Sequence, residues 1–131
     1  MLDQYFKTVN IEGETTAELA RKMVLPAAVR YLNELLTAIE RVKSVAVSSA
    51  GTVALAREVS ALIDELTAAL DVLVERNADL GGDTVHEKAY HMRDRIVPAM
   101  AEVRRVVDML ERVLPDHGWP LPKYRDMLFV K

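Results

Sequence analysis

VALAREVSALIDELTAALDVLVERNADL, Val53–Leu80, is the stretch whose spacing decides the fold. Val53, Ala56, Val59, Ile63, Leu66, Leu70, Leu73, Asn77 and Leu80 recur at steps of three and four. Such residues share one face of an α-helix, and Asn77 is the one polar member of the seam. A second seam runs upstream through Leu25, Ala28, Leu32, Leu35, Ile39, Val42 and Ala46. A third runs downstream through Val85, Ala89, Met92, Ile96, Ala99, Val103, Val106, Leu110 and Val113. Strict period-two alternation is absent, so the reading is all-α.

The punctuation agrees with the periods. Gly81-Gly82 is a helix stop, because glycine enters the left-handed region without a Cβ penalty. Thr84 and Glu87 have the spacing of a capping box that opens the next helix. Ser48-Ser49-Ala50-Gly51-Thr52 separates the first long helix from the second, and Pro115, Gly118, Pro120 and Pro122 close the third. Short loops make consecutive helices antiparallel neighbours. The expectation is one domain over 1–131: an elongated antiparallel bundle of three long helices at 15–47, 52–80 and 84–114. A segment at 1–14, broken or bent near Gly13, precedes them, and a Pro-rich tail at 115–131 folds back. Pro26 and Pro98 fall inside helical pattern, where a proline removes one backbone bond and costs about 3 kcal/mol, so each predicts a kink or a boundary. Leu36, Leu55, Leu62, Val97, Val107 and Leu114 lie off the seams, more apolar surface than three helices cover among themselves.

Composition narrows the function classes. The 131 residues carry a formal net charge of −3, and half are apolar, so no basic field favours nucleic acid or anionic lipid. There is no cysteine, which removes disulfides and thiolate metal sites. No apolar run approaches the roughly 18 residues of a membrane span. The expectation is a cytoplasmic, soluble chain with neither a nucleic-acid nor a membrane partner.

Motifs for chemistry do not assemble. In HEKAYH, His86–His91, the histidines are five apart, one too many for two zinc ligands on one helix face. Glu87 and His91 do share a face and read as a surface hydrogen-bonding pair. Glu58, Asp64, Glu65, Asp71, Glu75, Glu102, Asp108 and Glu111 alternate with Arg57, Arg76, Arg104, Arg105 and Arg112, as on a solvated, salt-bridged face. No glycine-rich phosphate loop or nucleophile motif is present. No catalytic, cofactor-binding or metal-binding residue is assigned.

The tail stands apart. WPLPKYRDMLFVK, Trp119–Lys131, holds the single tryptophan and one of the two phenylalanines, unlike the polar composition of a disordered end. Trp119, Leu121, Tyr124, Leu128 and Phe129 are expected to lie against the helices. WPLPKYRDMLF, Trp119–Phe129, resembles the closing motif of type III glutamine synthetases. KAYHMRDRIVPAMAEVRRVVDMLE, Lys88–Glu111, and VNIEGETTAELARKMVLPAAVRY, Val9–Tyr31, resemble two further blocks of that family in the same order. The resemblance implies a parent enzyme that ligates ammonia to glutamate with ATP and magnesium on a β-rich catalytic domain, in large homo-oligomeric rings. That domain and its motifs are absent from these residues. The chain is therefore expected to be a non-catalytic C-terminal helical module, inactive alone, with no cofactor of its own. Its expected partners are the catalytic domain or further subunits. The alternative is a free-standing helical-bundle interaction protein that self-associates through apolar faces.

Overall fold

The computed structural model describes residues 2–79 and 81–121, with side chains from residue 8 onward. All regular structure among the described residues is helical, and none of it is strand. The chain forms α1 (Leu2–Leu19), a π-helical turn (Ala20–Val24), α2 (Leu25–Val42) and a 3-10 turn (Lys43–Val45). Then come α3 (Ala50–Ala78), α4 (Val85–His91), a second π-helical turn (Met92–Ile96), α5 (Val97–Val113) and a 3-10 turn (Asp116–Gly118). The residues flanking both π-turns stay right-handed helical, so α1–α2 and α4–α5 are two continuous rods. With α3 they make three long helices. Asn77 of α3 meets Asn10 of α1, and Arg76 of α3 meets Arg95. Both pairings bring the end of α3 beside the beginning of a rod, so α3 runs antiparallel to each.

The two prolines explain the π-turns. Pro26 and Pro98 lack an N–H, and a proline ring in a regular α-helix strikes the carbonyl four residues back, here that of Lys22 or Asp94. Both carbonyls lie inside a π-turn. The N–H just before each proline bonds five residues back, Leu25 to Ala20 and Val97 to Met92. The wider turn accommodates the ring without ending the rod.

The break expected near Gly13 is absent: α1 passes straight through it. Gly13 serves packing instead. It is buried, and a Cβ built there would lie 2.8 Å from Asn77 Oδ1. The missing side chain lets Asn77 reach across, and its Nδ2 donates to the Asn10 carbonyl at 3.3 Å. The polar member of the α3 seam is thereby held at the α1–α3 contact. The helix expected to reach residue 47 ends at Val45, because Ala46 adopts φ 56°. That left-handed conformation costs an L-residue with a Cβ roughly 1–2 kcal/mol.

The core lies on α3. Val59, Leu66 and Leu73 have no exposed surface, and neither do Val24 and Ala28 of the first rod or Ile96, Val103, Val106 and Leu110 of the third. Beyond Leu35 and Ala56 the third rod has ended, and no residue from 36 to 55 is fully buried. That stretch is a two-helix hairpin projecting from a three-helix base. At the base, the chain after α5 turns at Pro115, where Gly118 N–H bonds the Pro115 carbonyl at 3.0 Å. Trp119 is 8% exposed and joins the core cluster that holds Ala27 and Leu114. Its indole Nε1 is buried without a hydrogen-bond partner among the described residues. Leu121 packs on the same cluster. The expected contacts of Tyr124, Leu128 and Phe129 lie outside the described residues.

Two stability measurements follow. Trp119→Ala is expected to cost about 3 kcal/mol or more, read as a lowered melting temperature, as large-to-small core changes do. Gly13→Ala removes about 1 kcal/mol of helix-interior penalty but displaces Asn77. It is therefore expected to stabilise the Asn77→Ala background and fail to stabilise the parent chain, and equal effects in both would contradict the contact.

Candidate functional site

Three features carry polar or exposed chemistry, and the first surrounds His91. This histidine ends α4 next to buried Met92, so the fold draws it inward, and it is 8% exposed. Its Nε2 donates to the Arg76 carbonyl at 2.8 Å, which also accepts from the Asp79 N–H at the end of α3 at 3.3 Å. Arg76 in turn donates through Nη1 to the Arg95 carbonyl at 3.1 Å, in the second π-turn. The loop is shaped to fit. Gly81 has φ 83°, and a Cβ there would collide with the His91 ring base; Gly82 has φ 135°, and a Cβ there would strike the Glu87 carboxylate. Glu87 accepts from the Asp83 and Thr84 N–H groups while Thr84 Oγ1 accepts from Glu87 N–H. The expected capping box is thus formed.

The expected surface pair of Glu87 and His91 is not made, since each has another partner. Glu87 serves the cap, and His91 fastens α4 to α3. The missing side chain of Gly81 leaves room for the imidazole. His86 and Glu87 still line, with Arg76, Arg95 and Tyr90, a cleft of about 950 Å³. Its charges are mixed. Among the described residues no three histidine or carboxylate side chains gather to hold a metal ion. The donor set of this cleft, mixed in charge, does not suit a magnesium–nucleotide group.

The second feature is an ion cluster on the α3–α5 face. Arg105 Nη2 lies 2.6 Å from Glu102 Oε1 and 3.8 Å from Glu65 Oε1. Its Nη1 also points at Met109 Sδ, 3.2 Å away. The hydrogen bond from Arg105, aided by its charge, holds the Glu102 carboxyl below the ordinary glutamate value although desolvation pushes the other way. Arg93 pairs with Asp94 at 3.2 Å and sits 5.8 Å over the Tyr90 ring. These arginines hold carboxylates and a ring on the surface. Exposed pairs of this kind add little stability.

The third feature is apolar. On the projecting hairpin Leu36, Val45 and Val47 are 51%, 63% and 59% exposed. None of the three can be covered by the third rod, which ends at Val113. No helix among the described residues is long and apolar enough to cross a membrane.

The lowered Glu102 carboxyl gives a pH test. Its contribution is present above the unfolded-state value and is lost as pH falls through the folded one. Carboxyl NMR titration is expected to show Glu102 titrating below an ordinary glutamate, and Arg105→Ala is expected to move that midpoint upward.

Comparison with known proteins gives these features a context. Residues 1–43 match the family model described as glutamine synthetase C-terminal domain. A glutamine synthetase from Bacteroides fragilis (strain YCH46) is 31% identical across 99% of this chain. A type-3 glutamine synthetase from Dictyostelium discoideum is 27% identical across all of it. The chain spans 19% of the length of each relative. The resemblance carried by three short blocks is thus a relationship along the whole chain, which is similar from end to end to about a fifth of a glutamine synthetase.

Proposed function

We propose that these residues are the non-catalytic C-terminal helical module of a type III glutamine synthetase, cytoplasmic, supporting its catalytic domain or its subunit contacts. The observation that carries this reading is the end-to-end similarity to a fifth of such enzymes. One feature of the fold supports it: the hairpin at 36–55 presents aliphatic side chains with no cover of their own. Exposed apolar surface of that kind is where a further domain or subunit binds. The Pro-rich tail, 115–131, belongs to the same module, folded back on its helices. ATP and magnesium then act on the catalytic domain of the parent enzyme. The same hairpin also favours the second reading, a free-standing helical protein that pairs with itself through Leu36, Val45 and Val47.

A chimera decides between them. Replacing the corresponding stretch of the Bacteroides fragilis relative with this chain is expected to give an assembled, glutamine-forming enzyme. Leu36→Asp, Val45→Asp and Val47→Asp together are expected to abolish assembly, read by analytical ultracentrifugation, while the isolated chain keeps its helical circular dichroism. An isolated chain that forms a tight dimer, with a chimera that never assembles, would establish the second reading.

A further inference from the structure

An apolar groove of about 370 Å³ runs between α1 and α5, away from the hairpin. Ile11, Leu19 and Val24 of the first rod line one side, and Val103 and Val107 of α5 the other. Ile11 is 60% exposed, the highest value among the large apolar residues of α1 whose side chains are described. Leu121, the last described residue, also lines this groove.

The path of the chain leads into it. Trp119 lines a pocket with Ala27 and Tyr31 of α2, whereas two residues later Leu121 lines the groove whose first-rod residues run from Ile11 to Val24. Between them the chain has moved toward the beginning of α1, and the groove continues in that direction as far as Ile11. Val24 and Ile11 are thirteen positions apart, about 20 Å at 1.5 Å per residue. Extended chain at about 3.3 Å per residue covers that with six or seven residues, fewer than Pro122–Lys131 provide. The chemistry matches as well. Tyr124, Met127, Leu128, Phe129 and Val130 supply apolar side chains, and Lys123, Arg125 and Lys131 outnumber Asp126. The groove is apolar along its floor, and its charged members, Glu12 and Asp108 against Arg104, are acidic in sum.

We propose that residues 122–131 of this same chain occupy the α1–α5 groove, continuing from Leu121 toward Ile11 and covering Ile11 and Leu19. The proposal concerns the chain by itself and stands whether or not the module serves a glutamine synthetase. It is tested in the full 131-residue chain, where the absence of cysteine allows one spin label to be placed cleanly through Asp126→Cys. Thr15 and Asn33 are both exposed and lie nine positions from Val24 in opposite directions, so chain length alone favours neither. The expected result is several-fold loss of amide signal at Ile11–Thr15, with little change at Asn33–Thr37, in the labelled chain diluted into unlabelled chain of natural isotope abundance. Equal loss at both places, or loss only near Asn33, would overturn the proposal. Loss at Ile11–Thr15 arising only between a labelled copy and a separate isotope-enriched copy would overturn it too, in favour of a second chain as the occupant.

Discussion

The burial of one stripe on α3 is the constraint around which the molecule is arranged. Leu66 and Leu73 have no exposed surface and Leu70 almost none, and a single neighbouring helix cannot enclose such side chains. Two rods must pack on α3 from different sides. Full burial of a leucine contributes about 1.5–3 kcal/mol, and backbone ordering opposes it at about 1–2 kcal/mol per residue. Only dense contact along the helix leaves a margin. The π-turns, the small residues of α1 and the tight glycine loop before α4 all keep the two rods on α3. Leu62 and Ala69, off the main seam, are buried in the same core cluster.

Much of this was legible from spacing. The α3 seam from Ala56 to Leu73 and the third seam from Met92 to Leu110 are the residues that the core encloses, Ile63 being partly covered. The Thr84–Glu87 box was legible because its chemistry is local to four residues. What escaped was contact made by small or polar groups. Val9, Gly13, Ala17, Ala20 and Val24 form a buried stripe at helical spacing, but a hydrophobic count gives glycine and alanine little weight. Gly13 therefore read as a breaker, although its use depends on Asn77, distant in sequence. His91 escaped similarly, because its partner is a backbone carbonyl at the end of another helix and no pattern in the sequence marks a carbonyl.

The candidate site divides along the same line. Charged residues at helical spacing read correctly as a solvated face, and Arg105 with Glu102 and Glu65 realises it. The hairpin could not be located from seams alone, because it exists through a difference in rod length. α2 and the start of α3 extend past the point where α5 ends. Its apolar residues are as periodic as those in the core, and only the missing third helix leaves them uncovered.

The π-turns also bear on which sequence changes this protein can absorb. Each turn holds one residue more than an α-helical turn would, and the wider turn absorbs that residue within one circuit of the axis. Deleting one residue from Ala20–Val24 would restore ordinary helical spacing with α2 close to its present phase, so Ala28 and Leu35 would still face α3. The Pro26 ring would then meet the carbonyl four residues back. The extra residue and the proline are therefore coupled: in a lineage of such chains, each turn is expected to shorten only where its proline is replaced.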